Sequence, residues 1–351
     1  MVRKVSLFVL LLIVSSLMSA ARLDESARND TLMIPLEEWE RDERVDKKVY
    51  KIAEELEQVC IKYKDDPEAI GWSPVAAELV NDLKKLGELA LPAILDVAKD
   101  TSRNVELRKI MMSELGFSYN PAVIKPLINF LQDKTEDPSV RYNVADLLGR
   151  ILKDTSSTNA LIETMEDKSN PVKVRWEAVH SFVFIHDERA IQPLLNIIKT
   201  DPSIEVKRIS ISALGAIGTS TENREMVSPL LEIVESGDNP ILQYHAISSL
   251  GAMKESRVIP LLEEVVKSKD RTNISVTIWA LGNIGGSMAK DALLELLKDE
   301  KEGIRFDAAK ALIKMGDKSV IPEIEKVIST LNKNHSNMIS KSLDKLKRSN
   351  K

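Results

Sequence analysis

The sequence predicts an all-α solenoid, a superhelix of about eight helical hairpins with a helical cap at each end. Three observations carry that expectation. The chain repeats one line, most clearly as AIQPLLNIIKTDPSIEVKRISISALGAIG from Ala190 to Gly218 and MVSPLLEIVESGDNPILQYHAISSLGAM from Met226 to Met253. Each copy holds a short amphipathic helix, a polar turn and a second amphipathic helix ending in Leu-Gly. Such a unit cannot bury its apolar stripe alone, so copies must stack. The second observation is spacing. The Leu-Gly pair recurs at Leu86, Leu115, Leu148, Leu214, Leu250 and Leu281, with Phe182-Val183 and Leu312-Ile313 in the same slot, at steps of 29 to 36 residues. The third is composition: 43% hydrophobic but only 4% aromatic residues, a core of Leu, Ile, Val and Ala that suits closely stacked helices.

The N-terminus reads as a secretory signal peptide over residues 1–21. Met1 to Lys4 is a positive n-region, Val5 to Met18 is an apolar run of 14 residues, and Ser19-Ala20-Ala21 offers the small residues a signal peptidase reads. A run of that length falls short of the roughly 20 residues needed to span a bilayer, so no transmembrane segment is expected in the mature chain. The expected address is secreted or periplasmic. Loss of Arg3 and Lys4 takes the formal charge from −5 to −7. A mildly acidic body argues against nucleic acid as partner, because phosphate binding needs clustered Lys and Arg. Cys60 is the single cysteine, so no internal disulfide forms, and it reads as a small buried group on a helix face.

Residues 22–34 are polar, without periodicity, and are expected to be disordered. Residues 35–74 form an N-terminal helical cap. There Val45, Val49, Ile52, Leu56, Val59 and Tyr63 recur at helical steps and the opposite face is charged. The solenoid proper is expected over residues 75–330. Roughly ten residues after six of the eight markers a proline falls in the first turn of the next helix (Pro92, Pro126, Pro193, Pro229, Pro260, Pro322), where its missing N–H costs nothing, and Ala160 and Ala292 stand in the other two. Turns inside the hairpins carry Asp137-Pro138, Asn170-Pro171, Asp201-Pro202 and Asn239-Pro240, whose Asp and Asn side chains cap the second helix.

Seven residues before the markers stand Arg108, Arg141, Arg175, Lys207 and Arg305, with Gln243 and Ile274 as exceptions. They read as a structural ladder of charge-assisted hydrogen bonds. The run from Asp137-Pro138-Ser139-Val140-Arg141 to Leu148-Gly149 resembles the HEAT-like repeat family, in the short variety named after phycobilisome lyase subunits. The resemblance covers about residues 75–330. It implies an α-solenoid whose second helices line the concave face, and it leaves the function open, since the family includes lyases, hydroxylases and pure scaffolds. Residues 331–351 close the chain as a C-terminal helical cap with a basic tail.

No catalytic constellation, metal site or cofactor site stands out. The HEAT-repeat hydroxylases hold iron through His-Glu pairs, and this sequence has no His-Glu dipeptide. Gly282-Asn283-Ile284-Gly285-Gly286 follows no strand, so it is a helix end and turn and no dinucleotide fingerprint. What remains is the side of the second helices opposite the core. Counted from the Arg141 position, residues at +1, +5 and +9 fall there. That column collects Tyr142, Trp176, Tyr244 and Trp279, together with Phe117, Phe184 and Phe306, which read more readily as core.

The leading expectation is a non-enzymatic scaffold outside the cytoplasm. It would bind a protein or peptide through Tyr142, Trp176, Tyr244 and Trp279, with Asp146, Arg150, His180 and Lys310 setting polarity. The alternatives are an enzyme or subunit of the lyase-like branch using the same face, or a structural component that self-associates. The chain is expected to be a monomer or to self-associate weakly.

Overall fold

The computed structural model describes residues 35–268 and 270–349, which form eighteen α-helices and no strand among them. The expected signal peptide and the segment 22–34 lie outside the described residues. The helices divide into two compact units, Met1–Ser181 and Phe182–Lys351.

In the first unit, α1 (Glu43–Lys62) and α2 (Pro74–Lys85) precede the hairpins α3 (Leu91–Lys99) with α4 (Val105–Phe117) and α5 (Ile124–Gln132) with α6 (Pro138–Asp146). Helix α6 continues as a π-helical turn, Leu147–Leu152. Then come α7 (Thr158–Glu166) and α8 (Val172–Ile185), within which the division between units falls. The second unit pairs α9 (Ile191–Thr200) with α10 (Ile204–Ser220), α11 (Val227–Ser236) with α12 (Pro240–Ala252), and α13 (Ile259–Lys267) with α14 (Ile274–Ile284). Its last pairs are α15 (Gly286–Leu296) with α16 (Glu302–Met315) and α17 (Ile321–Ile328) with α18 (Lys333–Arg348). Within each unit the partners of a hairpin pack together and successive second helices stack side by side, α4 on α6 and α10 on α12 on α14 on α16.

The marker column is the core of this stack. Leu115, Leu148, Phe182, Leu214, Leu250, Leu281 and Leu312 are all fully buried. Leu86 is the exception. It is half-buried, and Gly87 beside it is exposed with φ +66°. Helix α2 packs on α1, so this first marker ends a cap helix and the repeat packing starts at α3. At the other end α18 packs on α16 as the second helix of a last hairpin, burying Ile339, Leu343 and Leu346 while its other face stays polar. Cys60 is buried on α1, where the loss of water pushes its thiol up to about 12.

Beyond Leu86-Gly87, the Leu-Gly pair does not close its helix. The helices run on, and several stop about four residues later at a left-handed residue, as at Tyr119, Lys153, His186, Lys254, Gly285 and Gly316. The marker glycine serves close packing instead. A Cβ on Gly251 would lie 2.7 Å from the Cβ of Ala280 on α14, and one on Gly282 would lie 2.8 Å from that of Ala311 on α16. Where serine faces the glycine, its hydroxyl also bonds across the seam. Ser181 donates to the Ala145 carbonyl at 3.0 Å and Ser249 to that of Ile211 at 3.0 Å.

The arginine positions sit where side chains reach the turns. Arg108 Nε donates to the Ala98 carbonyl at 2.9 Å and its guanidinium forks onto Glu136; both side chains are buried. Arg141 joins the Leu131 carbonyl and Asn170 Oδ1 at 2.9 Å each. Arg175 reaches the Asn170 carbonyl at 2.6 Å and Arg305 those of Asp299 and Thr330. Gln243 is no exception in the structure: its amide donates to the Val234 carbonyl at 2.9 Å and accepts from Asn273 at 2.7 Å. An amide carries a donor and an acceptor, so it serves where the next turn offers a donor. Lys207 is only half-buried and lacks the planar fork that lets arginine join two turns.

Candidate functional site

In the first unit the outward side of α6 meets α8, and five of the eight expected contact residues come together there. Tyr142 and Asp146 lie one turn apart on α6, and the widened π-helical turn that follows carries Arg150, whose guanidinium grips the Asp146 carboxylate in two bonds of 2.6 and 2.8 Å. Trp176 and His180 lie one turn apart on α8 with ring centroids 4.8 Å apart. Glu177 joins the two helices. Tyr142 donates its hydroxyl to the Glu177 carboxylate, and His180 Nδ1 lies 3.0 Å from Glu177 Oε1.

Burial governs the electrostatics of this cluster. Asp146 is 5% exposed, so loss of water pushes its carboxyl up against the pull of Arg150. Asp146 was expected to set the polarity of the contact face; a carboxylate buried and already gripped by two guanidinium bonds is instead a member of an internal polar network. Tyr142 is held well above the usual phenol range by burial and by the neighbouring Glu177 carboxylate. Further along the same unit, Glu114 on α4 is buried with Lys84 Nζ 3.7 Å away, and desolvation raises its carboxyl to about 7.

Glu177 and Glu114 fall outside the sequence-derived column, which counts only positions +1, +5 and +9 as outward. At +2 and +6 a side chain turns toward the preceding second helix, and each carboxylate meets a partner there. The signal for Glu177 was local: a glutamate one turn ahead of His180, an i,i+3 pair on one helix face.

The second unit presents a different surface. Tyr244 is 46% exposed on α12 and Trp279 is 42% exposed on α14, its indole lying against the helix backbone at Gly251. Lys310 on α16 is exposed, with its Nζ 5.2 Å from the Phe306 ring centroid. Phe306 itself is buried and stacks on His335 at 4.0 Å, so it is core as expected. Ser212 Oγ lies 3.1 Å from His245 Nδ1, and burial lowers the imidazole. Among the described residues no carboxylate is hydrogen-bonded to His245, so this pair lacks the third member of a nucleophilic triad. None of the four expected rings is fully buried: Tyr142 is 36% exposed and Trp176 is half-buried. Among the described residues no group of three or more His, Cys, Asp or Glu is arranged to hold a metal ion, and no helix is long and apolar enough to cross a membrane.

A family model for HEAT repeats matches residues 91–182, 124–215, 191–276 and 267–333, which together exceed half of the chain. The alpha subunit of a phycocyanobilin lyase from a Picosynechococcus species is 30% identical over 149 residues, 37% of this chain and 54% of that subunit. The chain thus spans about half the length of the curated relative it matches. Among solved structures, human deoxyhypusine hydroxylase in complex with glycerol is 18% identical and covers 78% of this chain and 97% of its own, with a TM-score of 0.32. The complex of CpcE and CpcF of phycocyanin lyase from a Nostoc species is 20% identical, covering 74% and 95%, with a TM-score of 0.40.

Proposed function

The chain belongs to the HEAT repeat family, and we propose that it is a non-enzymatic binding scaffold working outside the cytoplasm. It grips a protein or peptide through Tyr142, Trp176, Tyr244 and Trp279 on the outward sides of its second helices. One observation carries the reading: in a chain with only 4% aromatic residues, four large rings stay partly exposed on the outward column of the second helices. Leaving such rings in water has a cost that an occupied interface recovers, and Tyr and Trp lead among interface hot spots. The signal-peptide pattern of residues 1–21 supports the export of this scaffold.

Affinity capture from the extracytoplasmic fraction tests it. The chain is compared with a variant carrying Tyr142→Ser, Trp176→Ser, Tyr244→Ser and Trp279→Ser, whose thermal melt is checked against the parent. A protein retained by the parent and lost by the variant is the expected result. Equal retention by both moves the site off these helices, and retention by neither sinks the reading.

A second reading has its own support. The cluster of Tyr142, Asp146, Glu177 and His180 gathers titratable groups, two of them shifted by burial, which is how acid–base sites are built. The similarity to a phycocyanobilin lyase subunit over 37% of the chain points the same way. On this reading the chain is an enzyme subunit, and Glu177→Gln abolishes a turnover while leaving partner capture intact.

A further inference from the structure

The outward side of the second unit differs from that of the first in charge. In the first unit the rings sit over buried carboxylates. In the second, Tyr244 on α12 and Trp279 on α14 belong to a stack that continues with α16 and its exposed Lys310 and Lys314, and the exposed Lys254 follows α12. The side ends in a cavity of about 740 Å3 whose lining includes Lys254, Lys290, Lys314 and Ser287. One carboxylate lines it, that of Asp317, 2.9 Å from Lys290 Nζ. Lys290 and Asp317 neutralise each other, which leaves Lys254 and Lys314 as the excess charge of the lining, with Lys310 one turn before Lys314 on α16, on a chain whose formal charge is −5. Two of these cations meet neutral groups of the protein. Lys314 donates to the neutral Asn283 amide, and Lys310 lies over the Phe306 ring.

We propose that this side of α12, α14 and α16 docks an acidic peptide segment bearing an aromatic or aliphatic side chain. Tyr244 and Trp279 take the apolar group, and Lys254, Lys310 and Lys314 take the carboxylates. Charge complementarity selects this occupant. The rings supply contact area, while the lysines steer an acidic strand in and reject a basic one. The proposal rests on the chain being a binding scaffold and narrows what its second unit binds.

The test is fluorescence anisotropy with the full chain and a fluorescein-labelled peptide of glutamates interrupted by phenylalanine. Saturable binding is expected, weakening as salt rises. Lys310→Gln with Lys314→Gln, both exposed and so tolerable to the fold, is expected to weaken it roughly tenfold, as is Tyr244→Ser with Trp279→Ser. Tyr142→Ser with Trp176→Ser should leave it unchanged. The same peptide with lysine for glutamate should not bind. Equal binding of the basic peptide, indifference to either second-unit double variant, loss through the first-unit rings, or no saturation overturns the proposal. A partner captured through the first-unit rings while the acidic peptide fails would sink this proposal and leave the scaffold reading standing.

Discussion

At the scale of single residues, the side chains that matter are those whose surroundings oppose their chemistry. Glu114 is the clearest. Burial lifts its carboxyl from 4.5 to about 7, against the attraction of Lys84. Between those values the folded chain keeps a proton that the unfolded chain has released. Stability from this group is therefore full below the unfolded value of 4.5 and is lost as pH rises through 7. Glu114→Gln imitates the protonated form. Urea unfolding should show it close to the parent at acidic pH and more stable at mildly alkaline pH, by up to about 3 kcal/mol. A difference that does not change with pH would show that the carboxyl titrates normally. Glu177 is buried as deeply but has a phenol and an imidazole as partners, and such fully partnered polar groups fix side-chain geometry.

At the scale of helices, the repeat is a seam between second helices, and glycine sets how closely they approach. Gly251 and Gly303 both lie in helices, yet alanine should act oppositely at the two. At Gly251 the new Cβ would meet Ala280 at 2.7 Å, forcing α12 and α14 apart at a cost of about 1–3 kcal/mol. At Gly303, in the first turn of α16, nothing lies within 4 Å of the new Cβ. There Gly303→Ala should stabilise by about 0.5 kcal/mol, because alanine loses less backbone freedom on folding. Thermal unfolding of the two variants reads both signs, and the same sign for both would refute the seam argument. The caps follow local chemistry more simply: Asn104, Asp137 and Asn239 each accept from backbone N–H groups of the helix that follows.

At the scale of the whole chain, each hairpin leans on its neighbours, so stability is a sum of units and seams and the end units need polar outer faces. The cationic tail of α18, with Lys345, Lys347 and Arg348 in its last turn, fits the end of such an array and complements the helix dipole. The proposed export is tested at this scale as well. N-terminal sequencing of the chain recovered from an extracytoplasmic fraction should begin near Arg22, and an intact Met1 to Lys4 there would rule out a cleaved signal.

Much of the architecture was legible in the sequence because it is written in local periodicity. The 3.6-residue stripe, the marker leucines and the first-turn prolines depend on a helix and its nearest turn, and they placed the hairpins and the buried column. The outward position of Tyr142, Trp176, Tyr244 and Trp279 followed from the same arithmetic. What the neighbouring helix decides was not legible. The sequence put Leu86 among the repeat markers, but the packing of α2 on α1 sets it apart. It offered Asp146 as a group setting the polarity of the contact face, but Asp146 is buried and paired with Arg150. It passed over Glu177 and Gln243, whose roles depend on which groups the adjacent repeat presents. A helix fixes the direction of each side chain about its own axis; only the stacking of one helix on the next fixes what that side chain meets, and hence its burial, its charge and its use.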